Sequence, residues 1–314
     1  MKAITYRSFG NADVLTTVDE PKPAVQAGEV LVRVKSVSIN PMDWKIRKGE
    51  MKLMSGSKFP RHTGVDFAGT VEDKGSAVTD LKVGDPVFGV VKNSMKDGAL
   101  SEYVVVPADN LWKKPESLSF AQAASLPIVG AAAITAFRRM GSGSSKSTIL
   151  INGATGGFGM ILLQLLRRTG ARVTAVTGTK NLAHAKEWGA DTVIDYTTTD
   201  VRRQRTTYDI IVDLSGKLPY ARAKGIMAKK ALYLDATPQP LDILTSPFRN
   251  LFRTKKHVII LAAPAEDTMQ ALLQAVQTGL DITVSRVFPF DRAVEAYRYA
   301  ERGGVAGKVV IEVA

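Results

Sequence analysis

Apolar and polar side chains alternate over short stretches in the first third of the chain, and glycine or proline turns separate these stretches. Residues 28–40, GEVLVRVKSVSIN, alternate valine, leucine and isoleucine with polar residues over the length of a strand. Shorter stretches of this kind follow at 64–75, 84–91 and 99–107, and residues 1–10 begin with another. Short strands at this spacing predict a small β-barrel or sandwich.

The pattern changes at Ser119, the predicted N-cap of an alanine-rich helical stretch that runs to residue 141. Beyond it, apolar runs of strand length alternate with helical runs, joined by short links. Repeated strand–helix–strand order predicts a parallel sheet with helices on both faces. The predicted strands are 147–153, 171–178, 191–196, 208–216, 230–238 and 257–264, and the predicted helices are 158–170, 181–189, 219–229 and 266–279.

The last part of the chain returns to the pattern of the N-terminal part. Residues 282–290 have an extended pattern, 291–304 predict a helix capped by Asp291, and 307–313 predict a final strand. We expect this tail to pack on the N-terminal β-rich part, which divides the chain into two domains. The predicted domains are 1–122 with 285–314, and 123–284.

A glycine-rich turn, GATGGFG, lies between a predicted strand and a predicted helix. At such a turn glycine lets the main chain approach a pyrophosphate, and the free amides at the helix start bind its charge. The spacing is not that of the commonest dinucleotide fingerprint, so the position between strand and helix carries the prediction; the alternative is a tight packing turn. The predicted phosphate-binding residues are Gly153, Ala154, Thr155, Gly156, Gly157, Phe158 and Gly159.

The next predicted strand ends in Thr177, Gly178, Thr179 and Lys180, without the acid that often stands there. A carboxylate would bind a ribose 2′-hydroxyl and repel a 2′-phosphate. Hydroxyls and an ammonium group suit a phosphate, so we expect NADP(H) as the cofactor. The alternative is that Lys180 is a solvated residue at a helix start, where the helix dipole disfavours a cation. Tyr196, at the end of the third strand, is a further candidate for the adenosine phosphate region.

The charge of the chain is uneven. Its 42 basic and 30 acidic residues leave a net charge of +12, and residues 201–260 hold 12 lysines and arginines against 4 acids. This excess is compatible with nucleic acid, with anionic lipid, or with solvated helix and loop faces. We favour solvated faces, because the basic residues are dispersed and no nucleic-acid motif accompanies them.

Composition narrows the classes of function that the chain could have. The chain has no cysteine, and His62, His184 and His257 are far apart, so we expect no metal site. No apolar run reaches the length of about 18 residues that a membrane span needs, so we expect no membrane partner. The first residues lack an apolar signal core, and the expected location is the cytoplasm.

Eight segments carry a family resemblance, namely 38–49, 64–78, 84–90, 98–107, 123–130, 151–159, 189–196 and 307–311. Together they resemble the medium-chain dehydrogenase/reductase superfamily over essentially the whole chain. More narrowly, they resemble its zinc-independent quinone oxidoreductases and enone or alkenal reductases. The resemblance implies an α/β protein, with a Rossmann doubly wound sheet domain and a GroES-like β-barrel catalytic domain. It also implies a homodimer through an apolar edge strand near 257–263.

The residues that bind zinc in related enzymes are missing. Zinc-dependent relatives carry a cysteine in the segment matching 36–43 and Gly-His-Glu where this chain has Gly64, Val65 and Asp66. His62 lies near that place but does not match it. The resemblance therefore implies reduction of an acceptor that is already electron-poor, without a Lewis acid.

The resemblance also assigns residues around the reacting groups. In zinc-free relatives the asparagine matching Asn40 lies beside the nicotinamide. Lys45 stands where some relatives have tyrosine and others lysine; it would hydrogen-bond the acceptor's carbonyl oxygen, or it is a surface lysine in the first helical turn after Pro41. Asp43 caps that turn or orients Lys45. We count Ser215 and Lys308 among the cofactor-binding candidates.

The function implied is an NADPH-dependent reductase of quinones or α,β-unsaturated carbonyls. Two alternatives remain at this point. One is an enoyl-thioester reductase of the same superfamily. The other is a basic nucleotide-binding protein without turnover, which contacts RNA through residues 201–260.

Overall fold

The computed structural model describes residues 1–141, 146–238, 240–261 and 263–313. They form two compact units, each with its own apolar core. The first consists of Met1–Ile128, Val284–Gly303 and Lys308–Ala314, and the second of Val129–Thr283 and Gly304–Gly307. The predicted boundaries at 122/123 and 284/285 lie a few residues from these limits, but Gly304–Gly307, predicted in the first domain, belongs to the second unit.

Strands form where apolar residues alternate or run together between turns, as the hydrophobic pattern predicts. Ala262, part of the last predicted strand of the parallel sheet, lies outside the described residues. The strands are β1 (Lys2–Tyr6), β2 (Thr16–Asp19), β3 (Glu29–Ser38), β4 (Arg61–His62), β5 (Asp66–Lys74), β6 (Pro86–Val90), β7 (Tyr103–Pro107), β8 (Leu111–Lys113), β9 (Thr148–Asn152), β10 (Arg172–Thr177), β11 (Thr192–Asp195), β12 (Tyr208–Asp213), β13 (Met227–Asp235), β14 (Lys255–Ile259), β15 (Val284–Pro289) and β16 (Lys308–Glu312).

Helices connect the strands of the second unit and lie beside the sheets of the first. No helix among the described residues is long and apolar enough to cross a membrane. The helices are α1 (Pro41–Arg47), α2 (Lys52–Ser55), α3 (Phe120–Ala124), α4 (Pro127–Met140), α5 (Gly157–Arg167), α6 (Leu182–Glu187), α7 (Tyr220–Ala223), α8 (Pro240–Leu251), α9 (Glu266–Gln277) and α10 (Ala293–Glu301).

The first unit is built on a seven-stranded β-sheet. Its strand order is β15-β16-β3-β5-β6-β8, and β7 also pairs with β3. Only β15 and β16 run parallel; the other pairs of this sheet are antiparallel. A smaller sheet has the order β2-β1-β4. The C-terminal strand therefore joins the N-terminal part of the chain, as the pattern of the tail predicts.

The second unit is a six-stranded parallel sheet in the order β11-β10-β9-β12-β13-β14. The strand order reverses between β9 and β12, which creates a crevice outside their carboxyl ends. The predicted glycine turn follows β9 and therefore lies at this reversal. β14 is the edge strand, as predicted from the sequence.

Several predicted helices differ from those observed. The stretch predicted at 219–229 is helical only at α7 and in a 3₁₀ turn, Lys224–Ile226, because Met227 already pairs with Tyr208 as the start of β13. The alanine-rich stretch divides into α3 and α4 just before Pro127, since the residue preceding a proline disfavours helix. Ser119 does cap α3, accepting from the Gln122 amide at 3.2 Å.

Two further helix assignments change. Asp291 does not cap α10; Arg292 stands at the N-cap position, and Asp291 lies in the short turn before it. Sequence analysis also missed α8, which continues through Pro247. A proline inside a helix removes one hydrogen bond, so pattern reasoning stops there.

Candidate active site

Main-chain hydrogen bonds and close packing fix the glycine turn between β9 and α5. Gly153 has a φ of +83°, a conformation that favours glycine. The amides of Gly153 and Ala154 both donate to the Val176 carbonyl at 3.1 Å, which ties the turn to β10. A Cβ at Gly159 would stand 2.2 Å from the Ala154 carbonyl oxygen. The helix can approach the turn this closely only with glycine at that position.

The start of α5 carries main-chain donors, and a parallel bridge pairs its N-cap, Gly156, with Gly307. The first amides of a helix, here those of Gly157, Phe158 and Gly159, have no carbonyl partner within it, and the helix dipole adds positive charge. The N-cap residue is Gly156, so no side chain at that position accepts a hydrogen bond from these amides. A Cβ at Gly156 would meet nothing nearer than the Gly153 carbonyl oxygen, at 3.9 Å. This donor set fits a phosphate group.

A chain of buried polar side chains lies beneath the turn. The Thr155 and Thr177 hydroxyls are 2.5 Å apart, and the Asn181 amide donates to Thr155 at 3.3 Å. Asn181 also donates to the Gly304 carbonyl at 3.1 Å. Thr155 and Thr177, two predicted cofactor-binding residues, thus connect the turn to the end of β10.

Asp213, at the end of β12, organises the other side of the crevice. Its carboxylate accepts from the amide and the hydroxyl of Ser215, at 3.1 and 3.0 Å. Asn152 donates to Asp213 at 2.9 Å and to the Ser215 hydroxyl at 2.8 Å. Asn152 and Asp213 end the two strands between which the order reverses, so they place Ser215 beside Gly153. Sequence analysis named Ser215 but missed this buried aspartate, although it ends an apolar strand.

The residues that follow β10, Thr179 and Lys180, are exposed. Lys180 is exposed, and no described residue forms an ion pair with it. Tyr196 is largely exposed, and its hydroxyl stands 3.0 Å from where a Cβ on Gly178 would lie. The structure therefore brings Lys180 and Tyr196 to one edge of the sheet, beside the glycine turn.

One acidic residue near this edge was missed. Asp195 ends β11 in register with Thr177, and it accepts from the Thr179 hydroxyl at 2.6 Å. The amide and hydroxyl of Thr197 also donate to it. These hydrogen bonds lower the pKa of Asp195. The sequence places the acid after the third strand, and only parallel pairing with β10 brings it to the second.

In the first unit, strand pairing gathers three buried polar residues from distant parts of the chain. Asp66 pairs with Ser38 near the end of β3, and Val310 pairs with the same residue from the other side. Asn40 follows β3 by two residues, and Lys308 begins β16. Antiparallel pairing therefore brings Asn40, Asp66 and Lys308 together.

Hydrogen bonds fix the Asn40 carboxamide in one orientation. Its Nδ2 donates to Asp66 at 2.9 Å, and its Oδ1 accepts from the Lys308 ammonium at 2.7 Å. The main-chain amide of Asn40 donates to the Asp43 carboxylate at 2.7 Å, so Asp43 caps α1 as expected. One Nδ2 hydrogen of Asn40 is left for a further acceptor.

Burial dominates the electrostatics of this cluster. It raises the pKa of Asp43 to about 7 and that of Asp66 to about 6. Burial also lowers the pKa of Lys308, against the effect of the Asp66 and Asp43 carboxylates. One oxygen of each carboxyl has no hydrogen-bond partner among the described residues. Two carboxyls thus share one ammonium group, which favours keeping a proton on the pair near neutral pH.

The raised pKa values predict a pH-dependent stability. Between about pH 4 and 7 the folded protein keeps protons that the unfolded chain has released, so the free energy of unfolding falls as pH rises. Each carboxyl contributes at most about 1.4 kcal/mol per pH unit. Asp43→Asn should flatten this slope in urea titrations across the window. Exposed Asp109→Asn is the control; equal slopes in wild type and Asp43→Asn would contradict the assignment.

Lys45 and Lys308 occupy different surroundings. Lys45 lies half-buried in the last turn of α1, and none of the described residues hydrogen-bonds or pairs with its ammonium group. The Lys308 ammonium group is buried and donates to the Ile39 carbonyl at 2.9 Å as well as to Asn40. Lys308 therefore orients Asn40, and its contact with a cofactor stays a prediction. The described residues contain no group of three or more potential metal ligands.

Two family descriptions match the chain. Residues 26–116 match the alcohol dehydrogenase GroES-like domain, and residues 188–311 match the zinc-binding dehydrogenase family. The first unit thus has the GroES-like fold expected from the sequence, and the parallel sheet of the second is the expected Rossmann-like fold.

Similar proteins cover nearly the whole chain. A chloroplastic quinone-oxidoreductase homolog of Spinacia oleracea is 31% identical over 99% of this chain and 98% of its own. The chloroplastic NADPH-dependent alkenal/one oxidoreductase of Arabidopsis thaliana is 31% identical over 99% of this chain and 79% of its own. The quinone oxidoreductase structure from Coxiella burnetii superposes with a TM-score of 0.90 at 29% identity, covering 100% of this chain and 99% of that one.

Fold, glycine turn and relatives agree with one another. The glycine turn and the first amides of α5 fit a nicotinamide dinucleotide, and the relatives are oxidoreductases. The chain is therefore an oxidoreductase that belongs to the medium-chain dehydrogenase/reductase superfamily, beside its quinone and alkenal/one oxidoreductases.

Proposed function

We propose that this protein is an NADPH-dependent reductase that passes hydride to a quinone or an α,β-unsaturated carbonyl, without zinc. The observation that carries the proposal is the turn from Gly153 to Gly159, where a Cβ on Gly156, the N-cap of α5, would meet no side chain within 4 Å. Relatives named as quinone and alkenal/one oxidoreductases support the acceptor class.

Residues of the second unit would hold the cofactor. The amides at the start of α5 would bind the pyrophosphate, and Ser215 would line the facing side of the crevice. Lys180 and Tyr196 would face the 2′-phosphate, with Thr179 already bonded to Asp195. The bound cofactor supplies a hydride to the acceptor.

Residues of the first unit would act on the acceptor side. Asn40 offers one amide hydrogen in a fixed direction, because Asp66 and Lys308 hold the rest of its carboxamide. Lys45 would hydrogen-bond the carbonyl oxygen on which negative charge develops. Catalysis would then rest on positioning and on stabilising this oxyanion.

The test is an NADPH-oxidation screen across quinones, alkenals, cyclic enones and an enoyl thioester. We expect turnover with a quinone or an enone. Preference for the thioester would favour the enoyl-thioester reductase instead. Absence of turnover on every acceptor, with RNA binding that falls steeply with salt, would favour the binding protein.

Lys45→Met tests the role of the ammonium group. Loss of one donor to a developing oxyanion costs about 100-fold or more in kcat when that donor is a main contact. We expect kcat with an enone to fall by about this factor, with KM for NADPH unchanged. Lys82→Met, an exposed lysine of the same unit, is the control. An unchanged kcat in Lys45→Met would show that Lys45 is a surface lysine that does not contact the carbonyl oxygen.

We also propose a homodimer through the edge strand β14. The Asn250 side chain bonds both main-chain groups of His257, donating to its carbonyl at 2.6 Å and accepting from its amide at 2.8 Å. A partner strand would therefore pair beyond this point, from Ile259. Light scattering should give twice the mass of one chain, and a monomer mass would contradict the dimer.

A further inference from the structure

The end of α8 exposes large apolar side chains. Phe248 is 73%, Leu251 72% and Phe252 92% exposed, whereas aromatic residues such as Phe67 and Phe88 are fully buried. All three lie within five positions, at the end of the helix that leads into β14. Neighbouring exposed apolar residues of this size mark an interaction surface.

Basic side chains lie at the sheet edge where α8 leads into β14. β13 and β14 are parallel neighbours, so the residues that begin them share the amino edge of the sheet. Two bonds hold this edge together: Lys255 donates to the Lys224 carbonyl at 2.8 Å, and the Ala231 amide donates to the Thr254 carbonyl at 3.3 Å. The exposed or half-exposed basic residues at this edge are Arg222, Lys224, Lys229, Lys230, Arg253, Lys255 and Lys256.

Acidic residues are missing from both segments that form the surface. Neither 215–234 nor 243–261 contains aspartate or glutamate. The glycine turn follows the carboxyl end of β9, so it lies at the opposite edge of the same sheet. The surface is therefore separate from the proposed cofactor-binding residues of this unit.

We propose that this basic and apolar surface docks onto an anionic membrane. Phe248, Leu251 and Phe252 would enter the boundary between headgroups and acyl chains, and the lysines and arginines would face the lipid phosphates. This is peripheral binding, so it needs no spanning helix. It revises the expectation of solvated faces and no membrane partner, because the fold gathers residues that are dispersed in the sequence.

Charge distinguishes the membrane from other occupants. If a second copy covered this patch with two-fold symmetry, the patch would face itself and bring one strongly positive surface against another, whereas the dimer proposed above pairs β14 from Ile259 onward. RNA would match the charge and could stack on the two phenylalanines, but base stacking leaves Leu251 without an apolar partner. An anionic bilayer satisfies both the charge and the apolar side chains.

Vesicle sedimentation with the full chain tests the proposal. The protein should sediment with vesicles of phosphatidylglycerol and phosphatidylcholine at low salt. It should stay in solution with phosphatidylcholine alone, and high salt should release it. Failure to bind the anionic vesicles would overturn the proposal, as would equal binding to phosphatidylcholine.

Variants assign the binding to this surface. Lys229→Gln with Lys230→Gln should weaken binding about 25-fold, since each basic residue near the membrane contributes about fivefold. Leu251→Ser with Phe252→Ser should weaken it about tenfold or more. The matched controls are Lys82→Gln with Lys96→Gln, and Leu53→Ser, a residue 95% exposed in the first unit.

Further readouts distinguish the membrane from a second copy of the chain and from RNA. NADPH binding should be unchanged in all variants, which shows that they fold and keeps this test separate from the proposed reaction. Vesicle binding that both surface variants retain would overturn the proposal. So would a dimer that Leu251→Ser with Phe252→Ser dissociates, or single-stranded RNA that binds the surface more tightly than the vesicles do.

Discussion

Gly156→Ala should weaken NADPH binding tenfold or more and leave the melting temperature almost unchanged. The added methyl group would meet no protein atom closer than 3.9 Å, and the φ of −71° at this residue suits alanine. Any cost at the N-cap is offset by the smaller entropy of the unfolded chain, so we expect a Tm shift below about 3 °C. The methyl group would, however, occupy the space that a phosphate needs to reach the amides of α5.

Gly225→Ala is the matched control, because a Cβ there meets nothing within 4 Å and the residue lies in the same unit. Isothermal titration with NADPH and a thermal melt should be run on both variants. NADPH affinity equal to wild type in Gly156→Ala would show that the turn does not hold the pyrophosphate. Gly159→Ala should behave differently and lower Tm, because its methyl group would strike the Ala154 carbonyl.

Lys180→Asp should reverse the coenzyme preference. A charged hydrogen bond to phosphate corresponds to roughly 10- to 150-fold in affinity, and the new carboxylate would also repel the 2′-phosphate. We therefore expect a loss of about 100-fold for NADPH. NADH lacks that phosphate, so its dissociation constant should change less than about threefold.

Lys186→Asp is the matched control, an exposed lysine in the last turn of α6. It should change neither affinity, which separates the local contact from a general loss of positive charge. Equal losses of NADPH and NADH in Lys180→Asp would remove Lys180 from the 2′-phosphate site. Asp195 already accepts from Thr179 in wild type, so the aspartate at 180 would add a second negative charge at this edge.

Elements that local pattern controls were predicted from sequence. Strands β3, β5 and β6 alternate or cluster apolar residues, and β9 with α5 shows the change of period around a glycine turn. The turn could be located because both its flanks have strong patterns. Helix α8 could not be predicted, because Pro247 interrupts its pattern. Helix α7 is shorter than predicted, because Met227 pairs with Tyr208 in the sheet.

The candidate site divides in the same way. Gly153 to Gly159 and Lys180 could be proposed from the sequence because each follows a predicted strand. The roles of Asp195 and Asp213 were not, since a carboxylate after a strand has no assigned neighbour until the strands pair. The contacts of Lys308 likewise required β16 to join β3, more than two hundred residues earlier in the chain.

The sequence by itself determined the succession of strands and helices, the glycine turn with its helix, and the absence of cysteine ligands, because these depend on local periodicity and composition. Tertiary structure alone decided which polar groups meet: Asn40 with Asp66 and Lys308, Thr179 with Asp195, and Lys255 with the Lys224 carbonyl at one sheet edge. Those encounters are set by strand order and register, which arise from long-range pairing and from the burial of one shared core.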